Sequence, residues 1–167
     1  MAKITLGGTD TNTIGDLPAV GSQAPDFQLV RKDMKDITLA NYHGQKVIMN
    51  IYPSIDTGVC AMSTTKFNQE ASKLDNTRII CVSKDLPFAL NRYCEAEGID
   101  NLDNLTNFRD AGNFGKDYGV EITDGAFQGL NARAIVVVDE EGKVVYNELV
   151  PEVGQEPNYE KALAAAQ

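Results

Sequence analysis

The stretch Lys46–Leu74, "KVIMNIYPSIDTGVCAMSTTKFNQEASKL", changes periodicity around a short turn. Its first six residues form an apolar run, the pattern of a strand buried on both faces and therefore central in a sheet. Pro53 removes a backbone donor and fixes φ, so the strand ends there. Helix formers follow from Cys60, with Phe67, Ala71 and Leu74 at spacings of four and three on one face. The stretch predicts a central strand passing directly into a helix, with a thiol at the junction.

Outward from it the same order repeats. "RIICVS" (78–83) reads as a second buried strand, and "PFALNRYCEAEG" (87–98) as a helix opened by proline and closed by glycine. "NFRDAGNFGKDYG" (107–119) predicts a weaker helix, "ARAIVVVDEEGKVVYNEL" (132–149) a hairpin turning at Glu140 to Gly142, and "NYEKALAAA" (158–166) a C-terminal helix. Upstream, "KITL", "GGTD" and "NTI" predict an N-terminal hairpin within about residues 1–16 that decorates an edge. "GSQAPDFQLV" and "KDITLANYHG" give two more strands, with Phe27 and Leu29, then Ile37 and Leu39, at alternating positions. Strand–helix alternation followed by a hairpin predicts an α/β fold with a central mixed sheet and helices on both faces.

With 167 residues, 43% hydrophobic and 23% charged, the chain has ordinary globular usage and room for one domain, residues 1–167. The formal net charge of −9 opposes what phosphate backbones and anionic membrane surfaces require, so neither nucleic acid nor membrane is an expected partner. "MAKITLGGTDTNTIGDLPAV" lacks the apolar core of a signal peptide, and cytoplasmic location is the expectation. Three cysteines, Cys60, Cys81 and Cys94, argue against a structural disulfide framework. A single histidine, His43, and no close cysteine pair leave too few ligands for a zinc site, so no metal is expected.

Chemistry in open α/β sheets collects beyond the carboxyl ends of the strands, where Cys60 lies. A thiol in a first helical turn meets unpaired N–H groups and the positive end of the helix dipole, both favouring thiolate. Thr57, three residues earlier, faces it if Gly58 and Val59 continue that turn. Local physics alone leaves two readings open, a reactive thiol or a small buried apolar residue in a strand-to-helix loop.

Pro53-x-x-x-Thr57-x-x-Cys60 resembles the active-site motif of the peroxiredoxins, and "NIYPSIDTGVCAMSTTKFNQ" is similar to the thiol peroxidase subfamily of atypical 2-Cys type. "SKDLPFALNRYCEAEG", "NFRDAGNFGKDYGV" and "GLNARAIVVVDEEGKV" extend the resemblance over most of the chain. Tyr52 stands where Phe is usual and "DGAFQGL" replaces a usual Gly-Pro-Leu, which bears on the shape of the substrate mouth.

The resemblance implies a thioredoxin-like fold and a peroxidase of hydrogen peroxide and organic hydroperoxides. It implies that Cys60 is the peroxidatic cysteine, oxidised to a sulfenic acid, and Cys94 the resolving cysteine that forms an intramolecular Cys60–Cys94 disulfide. Thr57 would hold the peroxide oxygens, Pro53 would shield the thiol and Arg133 would stabilise the thiolate. Thioredoxin would be the external reductant, with no bound cofactor, and the assembly a homodimer. Leu86, Pro87 and Phe88 resemble a segment that forms a substrate collar and a dimer interface, core packing being an equal reading. Tyr42 and Tyr52 are interface or core.

Read without the family, Arg133 is an exposed strand-edge charge and Cys94 a helix residue packed on the sheet. Cys81, inside an apolar strand, reads as core. His43, in the turn "YHGQ", reads as a surface residue. A disulfide needs Cα atoms within about 4.4 to 6.8 Å, so two cysteines in separate helices predict local unwinding on oxidation. Rival readings are a cysteine hydrolase with His43 as base, and a non-enzymatic redox sensor using the same thiols.

Overall fold

The computed structural model describes residues 1–109 and 113–167. Its strands are β1 (Lys3–Leu6), β2 (Thr9–Asn12), β3 (Gln28–Arg31), β4 (Asp36–Thr38), β5 (Lys46–Ile51), β6 (Thr77–Ser83), β7 (Asp103–Thr106), β8 (Ala134–Val138) and β9 (Val144–Leu149). Its helices are α1 (Gly58–Ala71), α2 (Pro87–Glu97), α3 (Phe114–Asp117) and α4 (Tyr159–Ala165), with a 3-10 turn over Leu39–Tyr42.

Seven strands form one mixed sheet in the order β4-β3-β7-β6-β5-β8-β9. β5, β6 and β7 run parallel, joined through α1 and α2, and β8 lies antiparallel to β5. The apolar run at β5 becomes an interior strand because both its faces are covered. Val47, Met49 and Ile51 pack with Phe27, Phe114 and Tyr118 on one side. Ile48 packs with Phe67, Leu90, Cys94 and Ala162 on the other. The period-2 alternation of a strand therefore divides the core into two layers, α1, α2 and α4 on one and α3 with the 3-10 turn on the other. Tyr42 and Tyr52 are both core residues.

Three expectations change, at Leu39, at the end of α1 and in the weak helix, and one strand was not foreseen. β7 falls on "DNLT", whose polar residues hide a strand that is buried because it lies between β3 and β6. Leu39 opens the 3-10 turn instead of extending a strand, its N–H taken by the Asp26 carboxylate. Helix α1 ends at Ala71, so Leu74 packs from beyond the helix. The N-terminal hairpin forms as expected around a turn at Gly7 and Gly8, with Thr9 and Asp10 already paired. That hairpin is a separate sheet; Thr5 N–H donates to Pro151 O and Val153 N–H to Thr5 O, which docks it on the chain leaving edge strand β9. Of the predicted weak helix, residues 110–112 lie outside the described residues, and only the turn Phe114–Asp117 forms. No helix among the described residues is long and apolar enough to cross a membrane.

Candidate active site

Cys60 is the third residue of α1, after N-cap Thr57 in extended conformation. Helix-leading N–H groups have no acceptor within their own helix, so the thiol sits among donors. It is fully buried. The Thr57 hydroxyl lies within hydrogen-bond reach of both Cys60 Sγ and, at 3.1 Å, Ser54 O. One proton serves both partners in turn. With a neutral thiol the hydroxyl donates to Ser54 O and accepts from sulfur; with a thiolate it donates to sulfur.

Arg133 arrives by register. Ala134 is the partner of Ile51 across β5 and β8, so the residue before β8 falls beside the end of β5, where α1 begins. The guanidinium is 1% exposed. Its Nε donates to Val153 O at 2.7 Å and Nη2 to Cys60 Sγ at 3.2 Å, while Nη1 has no partner among the described residues. An exposed strand-edge charge is therefore the wrong reading of Arg133.

A small mouth of about 140 Å³ opens over this group, lined by Leu6, Val59, Phe127 and Val153 with Thr57 and Arg133. Phe127 belongs to "DGAFQGL", so that departure does shape the mouth. Tyr52 does not line it. Its ring is buried under α1 and its hydroxyl accepts from Thr64 Oγ1 at 3.2 Å. The segment Leu86–Phe88 is not part of this lining either. Pro87 is buried as the first residue of α2, whereas Leu86 and Phe88 are 53% and 70% exposed, so core packing fails for those two.

Pro53 is buried in the loop before α1. The loop is held by a residue that sequence reasoning missed. Asp85 accepts from Ser54 Oγ at 2.6 Å, Ile55 N–H at 2.7 Å and Ser83 Oγ at 2.7 Å, binding the end of β6 to the segment that carries Thr57. "SKD" after an apolar strand is the available clue, since Ser and Asp there favour side-chain-to-backbone turns.

Cys94 lies in the last turn of α2, its carbonyl capped by the N–H of Gly98, which adopts the left-handed conformation at φ 66°. The thiol is buried against the sheet and receives Asn104 Nδ2 at 3.0 Å. Burial pushes this thiol above its ordinary pKa, against the opposing pull of Lys32 and the Asn104 amide. Cys81, on β6, is core as expected, and burial pushes it up to about 12. All three thiols are free. His43 is exposed and lines a groove with Val47 and Val138 at the opposite end of β5 from Cys60, so it is no base for that thiol.

Fold and site define a redox protein of thioredoxin-like architecture, built around one buried thiol held by a hydroxyl and a guanidinium. The Redoxin family model matches residues 19–163. A thiol peroxidase of Mycobacterium tuberculosis is 54% identical over 165 residues, 99% of this chain and 98% of that protein. One of Corynebacterium glutamicum is 47% identical, covering 99% of each. A crystal structure of a peroxiredoxin-like protein from Aquifex aeolicus superimposes with TM-score 0.93 at 36% identity, over 99% of this chain and 96% of that one. The chain belongs to the Redoxin family, among the thiol peroxidases of the peroxiredoxin group.

Proposed function

We propose that this protein, a peroxidase oxidoreductase, reduces hydrogen peroxide and organic hydroperoxides through Cys60 and is returned to the thiol state through Cys94 and thioredoxin. The observation that carries the reading is the pair of donors on Cys60 Sγ, together with a third donor, Arg133 Nη1, buried beside them without a partner. A buried guanidinium needs a counter-charge, and Arg133 forms no salt bridge with a carboxylate among the described residues. A Cys60 thiolate supplies it.

The thiolate attacks the distal peroxide oxygen. The O–O bond breaks, an S–O bond forms, and the proximal oxygen leaves as alkoxide or hydroxide, taking a proton to become alcohol or water. Charge passes from sulfur through the transferred oxygen to the leaving oxygen, so Arg133 Nη1 and the Thr57 hydroxyl stabilise the point where it develops. The apolar mouth formed by Leu6, Val59, Phe127 and Val153 suits an organic substituent on the peroxide. The cycle as written draws on thiols alone. Cys94 then displaces the oxygen of the Cys60 sulfenic acid, and thioredoxin reduces the resulting disulfide by thiol exchange. A cytoplasmic homodimer, with Leu86 and Phe88 in its interface and Pro87 fixing their helix, completes the reading.

The test is steady-state consumption of hydrogen peroxide and an alkyl hydroperoxide with thioredoxin and its reductase. Cys60→Ser is expected to abolish reaction with peroxide. Cys94→Ser is expected to consume one equivalent and then stop with thioredoxin. If the parent enzyme also stops after one equivalent, it is a stoichiometric sensor and the peroxidase cycle fails.

A further inference from the structure

One row of side chains crosses the sheet beneath the two helices that carry Cys60 and Cys94. Asn50 on β5 is the register partner of Cys81 on β6, and Cys81 is the partner of Asn104 on β7. Ile48, Ile79, Ile135 and Val137 supply the apolar surroundings of this row, with the buried hydroxyls of Ser63, Thr64, Ser83 and Thr106 on or against the same face. Both asparagines are almost completely buried, Asn104 at 2% exposure. Each lends an amide N–H upward or sideways: Asn50 Nδ2 to Ser63 Oγ of α1 at 3.2 Å and to Cys81 Sγ at 3.6 Å, Asn104 Nδ2 to Cys94 Sγ of α2 at 3.0 Å. Neither Oδ1 has a hydrogen-bond partner among the described residues. Exchanging the nitrogen and oxygen of Asn104, so that the Cys94 S–H donates to Oδ1, orphans the amide hydrogens instead, so the deficit survives either assignment.

These amides oppose the closed packing. Sulfur is a weak acceptor, so the bond to Cys94 returns little of what the carbonyl without a protein partner loses. When α2 lifts, water reaches the whole amide and the deficit disappears. A leucine at the same place has the same branching skeleton and the reverse preference, gaining from burial and losing on exposure.

We infer that Asn104, with Asn50 beside it in the row, is a positioning residue that sets how readily α2 and α1 leave the sheet, and so how the oxidised enzyme divides between two fates. The inference rests on the proposed roles of Cys60 and Cys94. In the first fate the Cys94 thiolate attacks the Cys60 sulfenic sulfur. The S–O bond breaks, an S–S bond forms, and the hydroxyl leaves with the former thiol proton as water. In the second the sulfenate attacks another hydroperoxide molecule, whose O–O bond breaks to give a sulfinate and an alcohol. Both start from the same sulfenic acid, so slower opening sends more enzyme to the sulfinate.

The test compares the parent with Asn104→Leu. Cys60 oxidation by the first equivalent of hydroperoxide should keep the parent's rate, while disulfide formation slows about tenfold and sulfinic acid per turnover, read by mass spectrometry, rises about tenfold. Opening is also read without peroxide chemistry. In a Cys60→Ser background, iodoacetamide labelling of Cys94 should be about tenfold slower with Asn104→Leu. If Asn104→Leu fails to fold, Asn50→Leu, whose amide bonds Ser63 of α1, carries the expectations for disulfide formation and sulfinic acid, and the conservative Asn104→Ser, which removes the amide beneath Cys94, carries the labelling arm. Unchanged or faster labelling with unchanged sulfinic acid overturns the inference. A parent enzyme that forms no Cys60–Cys94 disulfide after one equivalent overturns the proposed cycle and the partition with it, while the labelling arm still decides what Asn104 does to the opening.

Discussion

Burying a guanidinium is costly, and Arg133 is buried beside a buried cysteine that accepts one of its hydrogen bonds. Arg133 gives one donor to Val153 O and one to Cys60 Sγ and keeps a third free. A charge-assisted hydrogen bond contributes about 1.5–3 kcal/mol, so Arg133→Gln is expected to lower the rate constant for Cys60 oxidation roughly 10- to 100-fold. Arg133→Lys should recover only part, since an ammonium cannot reach Val153 O and sulfur with a fixed fork. Stopped-flow oxidation with limiting hydroperoxide measures both.

Cys81 makes the opposite point, a thiol kept inert. Burial first, then neighbouring Cys94 and Cys60, push it up to about 12 from 9.0, against the Asn50 and Thr64 hydrogen bonds that lower it. The folded state thus holds a proton that the unfolded chain releases above pH 9. Its contribution to stability is complete below that pH and is lost as pH rises toward 12. Urea unfolding between pH 9 and 11 should show stability falling by up to about 1.4 kcal/mol per pH unit from this group, and Cys81→Val should flatten the slope. An identical slope in the variant assigns the alkaline loss elsewhere.

At the scale of elements, the site is a junction of three strand ends, and Asp85 is its tie. Three hydrogen bonds converge on one carboxylate to hold the loop from Ser54 to Thr57 against the end of β6. Asp85→Ala frees that loop and is expected to slow Cys60 oxidation about tenfold, the thermal midpoint changing less, because the core layers do not depend on it. Equal loss of activity and of midpoint would make Asp85 a general support instead. The residues nearest Cys60 in sequence were legible because helix geometry alone brings Thr57 to it. Arg133, 73 residues away, was legible only through family resemblance, because its approach depends on the register of β5 with β8. Strand β7 was not legible at all: "DNLT" has little β pattern of its own and is a strand by virtue of its neighbours. The same failure concealed Asn104, whose meaning appears only when β5, β6 and β7 are laid side by side.

Over the whole molecule, apolar surface and chemistry meet at the start of α2. Leu86 and Phe88 stand 53% and 70% exposed one and three residues after Asp85. These exposed apolar side chains beside a turn held by Asp85 are where the homodimer proposed above would seat its second copy. Docking of a second copy there would brace the turn through which Asp85 holds Thr57, and the proposed dimer would then link association to reactivity. Phe88→Glu adds a charge to each copy of a protein already at net −9 and removes the ring that would be buried. Sedimentation equilibrium at micromolar concentration should find the parent a dimer and the variant a monomer. Cys60 oxidation in that monomer should fall several-fold, while Asp85→Ala should gain nothing further from monomerisation, because the brace then has no tie to act through. Additive losses in the double variant would separate the interface from the site, and a monomeric parent would remove the interface altogether.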